Sequence, residues 1–151
     1  CCQNRKRPVM RILPSLWLLA VVISLNACAE TPLIRVPMGM GYGISDALCE
    51  EVKNTSIPKR LEELEVPFEW TNQEEGLLTV GPITEDTESG SAYSKIRQTY
   101  YLEIECDDEL TTSIQGEIAL EGLNTDEEWI AITDAPTIEQ YAIQFLQSLD
   151  L

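Results

Sequence analysis

The stretch from Thr99 to Glu121 constrains the fold more than any other. Tyr100, Leu102, Ile104 and Cys106 alternate with Thr99, Tyr101, Glu103 and Glu105. After a turn at Asp107 to Glu109, Ile114, Gly116, Ile118 and Leu120 alternate with Gln115, Glu117, Ala119 and Glu121. Successive side chains of a strand point to opposite faces, so the pattern predicts a long antiparallel hairpin with one apolar and one polar face. The apolar face has to be covered. Ile138, Tyr141, Ala142, Phe145, Leu146 and Leu149 keep the i, i+3, i+4, i+7 spacing of an amphipathic helix, capped by Asp134 or Thr137, and supply such a cover.

Weaker signals fill in the remainder. Ser45 has the chemistry of an N-cap, and Ala47, Leu48 and Val52 form a helical stripe that Asn54-Thr55-Ser56 interrupts. A second short helix is expected from Pro58 through Leu61 and Leu64, with one helix kinked at Pro58 as the rival description. Val66 to Trp70 alternates as a short strand that Pro67 confines to an edge or a strand start. The polar run Asn72 to Gly76 reads as a hairpin connection to Leu77–Val80, which Pro82 is expected to close, and Trp129–Ile132 is a further strand. The acidic runs Glu85 to Ser91, Asp107 to Glu109 and Asp126 to Glu128 lack the alternating ligands and central Gly of a calcium loop, and read as solvated turns. These elements predict an α+β fold: a two-layer sandwich over residues 45–151, with an antiparallel sheet of four to five strands and an N-terminal and a C-terminal helix on one face.

Cys106 belongs to the apolar set of its strand, and Cys49 lies beside Leu48 on the first helical segment. A Cys49–Cys106 disulfide would therefore staple helix to sheet, the competing arrangement being two separate buried thiols. Closing a loop of that size is worth roughly 4 kcal/mol in the chain-entropy model.

The N-terminal part reads as an export leader. Arg5, Lys6, Arg7 and Arg11 precede an apolar run from Ile12 to Leu25. That run is about 14 residues, too short to span a hydrocarbon core of roughly 30 Å. Leu25-Asn26-Ala27-Cys28 then resembles the lipobox of bacterial lipoproteins. The resemblance implies a signal peptide over 1–27, with Met10 as its true start, cleavage before Cys28, and lipidation of that cysteine. It also implies attachment to the bacterial cell envelope through acyl chains, and Ala29 after the cysteine leans toward the outer membrane, facing the periplasm. Residues 28–44, with Pro32, Pro37 and Gly41, read as a lipidated tether ending in a short extended segment. Gly41-Tyr42-Gly43 lacks the further Gly, the Lys and the preceding strand of a phosphate loop. The order of helix, strands and helix behind a lipobox is also faintly similar to small accessory lipoproteins of outer-membrane assembly.

Composition narrows the chemistry. The chain carries 26 acidic against 10 basic residues, and every acidic residue lies after the leader while four of the basic ones lie in it. Such a surface opposes binding to nucleic acid or anionic headgroups, both of which need a basic footprint. There is no histidine, which removes the usual general base and the commonest zinc ligand. No cofactor and no metal site is expected, and catalysis would have to rest on a carboxylate pair of the glycosidase kind. Glu103 and Glu117 are candidates, although cross-strand charge contacts explain them as well. Among Trp70, Trp129, Tyr93, Tyr100 and Tyr101, sheet and core packing is expected for all but Tyr101, which falls on the polar face. The leading expectation is a non-enzymatic envelope protein that contacts a protein partner through Arg97, Tyr101, Glu103, Gln115 and Glu117. A hydrolase acting on envelope glycans and a carrier of lipid or small ligands are the alternatives.

Overall fold

A computed structural model of the chain describes residues 33–44 and 47–149, with side chains described from 33–39 and 47–149. The elements are β1 (Val36–Ile44), α1 (Cys49–Glu51), a π-helical turn (Val52–Ser56), α2 (Ile57–Glu63), β2 (Phe68–Asn72), β3 (Leu77–Asp86), β4 (Lys95–Cys106), β5 (Thr111–Leu123), β6 (Trp129–Ala131) and α3 (Ala135–Ser148). The strands form one antiparallel sheet in the order β1-β5-β4-β3-β2, with β6 also pairing with β5. The two-layer α+β architecture is as expected, but the sheet has six strands. The additional strand comes from the span read as a tether. Val36 and Met38 put their side chains toward the core, and Pro37, which has no N–H to donate, is tolerated because β1 lies at the edge.

The predicted hairpin is the centre of the sheet. β4 and β5 pair without interruption from Lys95 opposite Leu123 to Cys106 opposite Thr112. Tyr100, Leu102, Ile104, Ile114, Ile118 and Leu120 are buried on the inner face with Leu78 and Val80 of β3. Over them pack Val52, Ile57 and Leu61 from the first helical segment and Ile138, Ala142, Phe145 and Leu149 from the C-terminal one. Tyr100 stacks on Phe145 with ring centroids 3.8 Å apart, which fills the space between α3 and the centre of the sheet at that point. Asp134, one of the two expected caps, accepts from Thr137 N at 3.1 Å at the start of α3.

Two local expectations are corrected. The first helical segment is not broken at Asn54; it widens there. The Asn54 side-chain amide donates to the Glu50 carbonyl at 2.9 Å, competing with the backbone for that acceptor. Ile57 N instead reaches back to Val52 O, five residues earlier, and the helix then resumes with Pro58 in its first turn. Ser45, the expected cap, lies outside the described residues, and Leu48 at the cap position makes no side-chain cap bond. Pro82 does not close β3 either. Val80 opposes Tyr100 and Ile83 opposes Gln98, so three steps on β3 match two on β4 and the strand continues to Asp86 after a bulge at Gly81-Pro82. Pro82 has no ladder donor, and a Cβ on Gly81, whose φ is +109°, would lie 2.7 Å from Gln98 O.

Candidate functional site

The outer face of the sheet, opposite the helices, collects the residues that the alternation assigned to it. Tyr101 lies opposite Glu117, and Glu103 opposite Gln115, on adjacent strands. The Gln115 amide donates to Glu103 at 3.0 Å. Thr79 of β3 lies opposite Tyr101, and its hydroxyl meets that of Thr71 at 3.3 Å. A shallow depression of about 300 Å³ at this end is lined by Arg35, Tyr101, Glu103 and Glu117 together with Leu77 and Thr79.

Two arginines organise the face. The Arg35 guanidinium sits 3.7 Å from the Tyr101 ring centroid and 3.9 Å from Glu117. The Arg97 guanidinium lies 4.3 Å from the Trp129 ring centroid and reaches Glu121 at 2.8 Å through both Nε and Nη2. Arg97 and Glu121 are direct cross-strand neighbours, which lets one carboxylate oxygen receive both donors. The second pair is the drier one: the side chains of Arg97 and Glu121 are 31% and 14% exposed, against 48% and 46% for Arg35 and Glu117. All five expected partner-contact residues therefore share one surface, but Arg97 belongs to a separate cluster with Glu121 and Trp129. Trp129 is a second aromatic exception to core packing, and Arg35 was hidden in a span read as tether. The alternation of Val36 and Met38 about Pro37 was the available signal for β1, and the glycines that follow obscure it.

The Cys49–Cys106 disulfide is present, joining the start of α1 to the end of β4 with a Cα–Cα distance of 5.7 Å. Cys49 is buried, while Cys106 stands exposed at the strand end, so the staple sits at the rim and not within the packed layer. Cys28 lies outside the described residues.

The acidic runs have local structural work. Asp108 accepts from Leu110 N at 2.8 Å, and from Thr111 N and Oγ1, which holds its carboxyl below the usual range. The bond from Thr137 does the same for Asp134, and that from Lys53 for Glu50. In the loop before β6, Asn124 Oδ1 accepts from Asp126 N and Glu128 N, each at 2.9 Å. Among the described residues, no group of three His, Cys, Asp or Glu is placed to hold a metal ion.

The structure is thus a two-layer α+β sandwich whose described helices all lie on one face of the sheet. No family model matches the chain, and no curated protein matches it. Among solved structures, the chain is similar to a crystal structure of a DUF4468 family protein from Bacteroides ovatus, at 10% identity and a TM-score of 0.40, covering 78% of this chain and 80% of that one. A likeness at that level carries no argument about function.

Proposed function

We propose that the protein is an envelope lipoprotein, anchored through Cys28, whose sheet face binds a protein partner in a non-enzymatic accessory role. Support comes from the outer face itself: two arginine–aromatic pairs set among Glu103, Gln115, Glu117 and Glu121, on a continuously paired β4–β5 platform that the described helices leave uncovered. Arginine and aromatic side chains dominate binding energy at protein interfaces, and the surrounding carboxylates add steering. The carboxylates considered for a glycan hydrolase, Glu103 and Glu117, are instead engaged on the sheet surface, Glu103 by the Gln115 amide at 3.0 Å and Glu117 by Arg35 at 3.9 Å. A carrier would need an apolar cavity at the centre of the layers, and there Tyr100 and Phe145 are stacked.

Site-specific photocrosslinking in the native host tests the proposal. A benzophenone side chain at Tyr101 should give a discrete protein adduct that weakens when Glu103→Lys is added, while the same group at exposed Ile143 on α3 gives none. Equal adducts from both positions, or none from Tyr101, would remove the sheet face as the contact surface.

A further inference from the structure

A second surface lies on the other side of the sheet, between the far half of β3 and α3. The bulge at Gly81-Pro82 absorbs one residue, so the residues after it change face. Glu85, opposite Ile96, is thereby turned toward the helix layer, where with Gln98 it is a polar group on a mostly apolar side. It borders two adjoining depressions of about 300 Å³ and 550 Å³, both of which also share Tyr141. Val66, Ile83 and Phe145 give the first an apolar floor, while Asp86, Glu88 and Asp134 rim the second.

Gln98 marks the floor of the first depression. It is 95% buried, at 5% relative exposure, and its Oε1 accepts from the Tyr100 hydroxyl. Its amide nitrogen has no hydrogen-bond partner among the described residues, and the side chain lines the depression, where that donor can meet a ligand. The Tyr141 hydroxyl likewise makes no hydrogen bond there. No lysine or arginine lines either depression. Arg60 is engaged by Glu63 and the Ser148 carbonyl, and Lys95 by Asp86, so neither is available to neutralise Glu85.

We propose that this groove docks an arginine-bearing segment of a partner protein, with Glu85 receiving the guanidinium, the Tyr141 ring stacking on it, and the Gln98 amide donating to a carbonyl of the segment. Arginine fits better than lysine because its planar fork can meet a carboxylate and an aromatic face together, as the chain itself does with Arg97 between Glu121 and Trp129. The groove is on the opposite side of the sheet from Tyr101, so the proposal stands or falls separately from that surface.

Titration calorimetry of the full chain with the blocked peptide acetyl-Leu-Arg-Leu-Arg-Leu-amide, and with its neutral citrulline counterpart, provides the test. The arginine peptide should bind, the citrulline peptide should bind at least about tenfold more weakly, and Glu85→Gln should cost the arginine peptide a similar factor. Glu74→Gln, in the exposed β2–β3 turn and outside both surfaces, should leave the affinity unchanged. The Gln98 side-chain amide resonance should shift on binding, a readout that needs no variant at a buried position. Equal weakening by Glu85→Gln and Glu74→Gln would mean general attraction to an acidic protein. That result, equal binding of the two peptides, or no binding at low millimolar concentration would overturn the proposal.

Discussion

Arg97 shows how much one side chain can organise on a sheet surface. Its guanidinium satisfies a carboxylate that is only 14% exposed and covers the Trp129 ring. Replacing it with Met keeps the aliphatic stem but leaves Glu121 largely desolvated without a counter-ion. The expected loss is about 2 kcal/mol of unfolding free energy in urea titrations, smaller than for a fully buried pair because water still reaches the site. Arg97→Lys should recover only part of it, since an ammonium cannot place two donors on the oxygen and also lie flat over an indole. Equal stability of Arg97→Met and the native chain would show that the pair contributes nothing net. The alternation of β4 placed Arg97 on this face, but its partners were not legible in sequence. Glu121 is set by register across a turn of uncertain length, and Trp129 by the way β6 returns to β5.

Elements defined by period were legible, and those defined by exceptions to a period were not. The β4–β5 hairpin and α3 carry long uninterrupted patterns, so propensity, patterning and burial agree on them. β1 holds three glycines, which carry no face preference, and so it merged with the expected tether. Asn54 and Pro82 are ordinary stop signals, yet each is absorbed by a local irregularity that keeps its element going, a π turn in one case and a bulge in the other. Packing decides these cases: Ile57 and Leu61 are wholly buried beyond Asn54, and their burial outweighs the cost of one wide turn. The disulfide depended on the same logic, because parity gave Cys106 its face. The two cysteines are 57 residues apart, so Cys49→Ala with Cys106→Ala should cost about 2 to 4 kcal/mol. The loss should be seen as a lower denaturation midpoint that reductant no longer shifts. A native chain whose midpoint is indifferent to reductant would indicate that the bond is not formed in the protein as made.

At the scale of the whole molecule, charge opposes the anchoring proposed above. The net charge is −16 at pH 7, and every acidic residue lies from Glu30 onward, so the folded domain is repelled by a bilayer surface rich in anionic headgroups. None of the described helices is long and apolar enough to cross a membrane. If Cys28 carries acyl chains, they are what holds such a domain at the membrane, and two or more chains suffice for stable anchoring where one does not. Cys28→Ala should therefore abolish fatty-acid labelling and move the protein from the membrane fraction to the soluble one, while leaving its denaturation midpoint unaltered. A high-salt wash should not release the native protein, because screening weakens repulsion from the headgroups and leaves acyl burial intact. Labelling of Cys28→Ala equal to the native protein, or release of the native protein by salt alone, would show that something other than lipid at Cys28 holds it there.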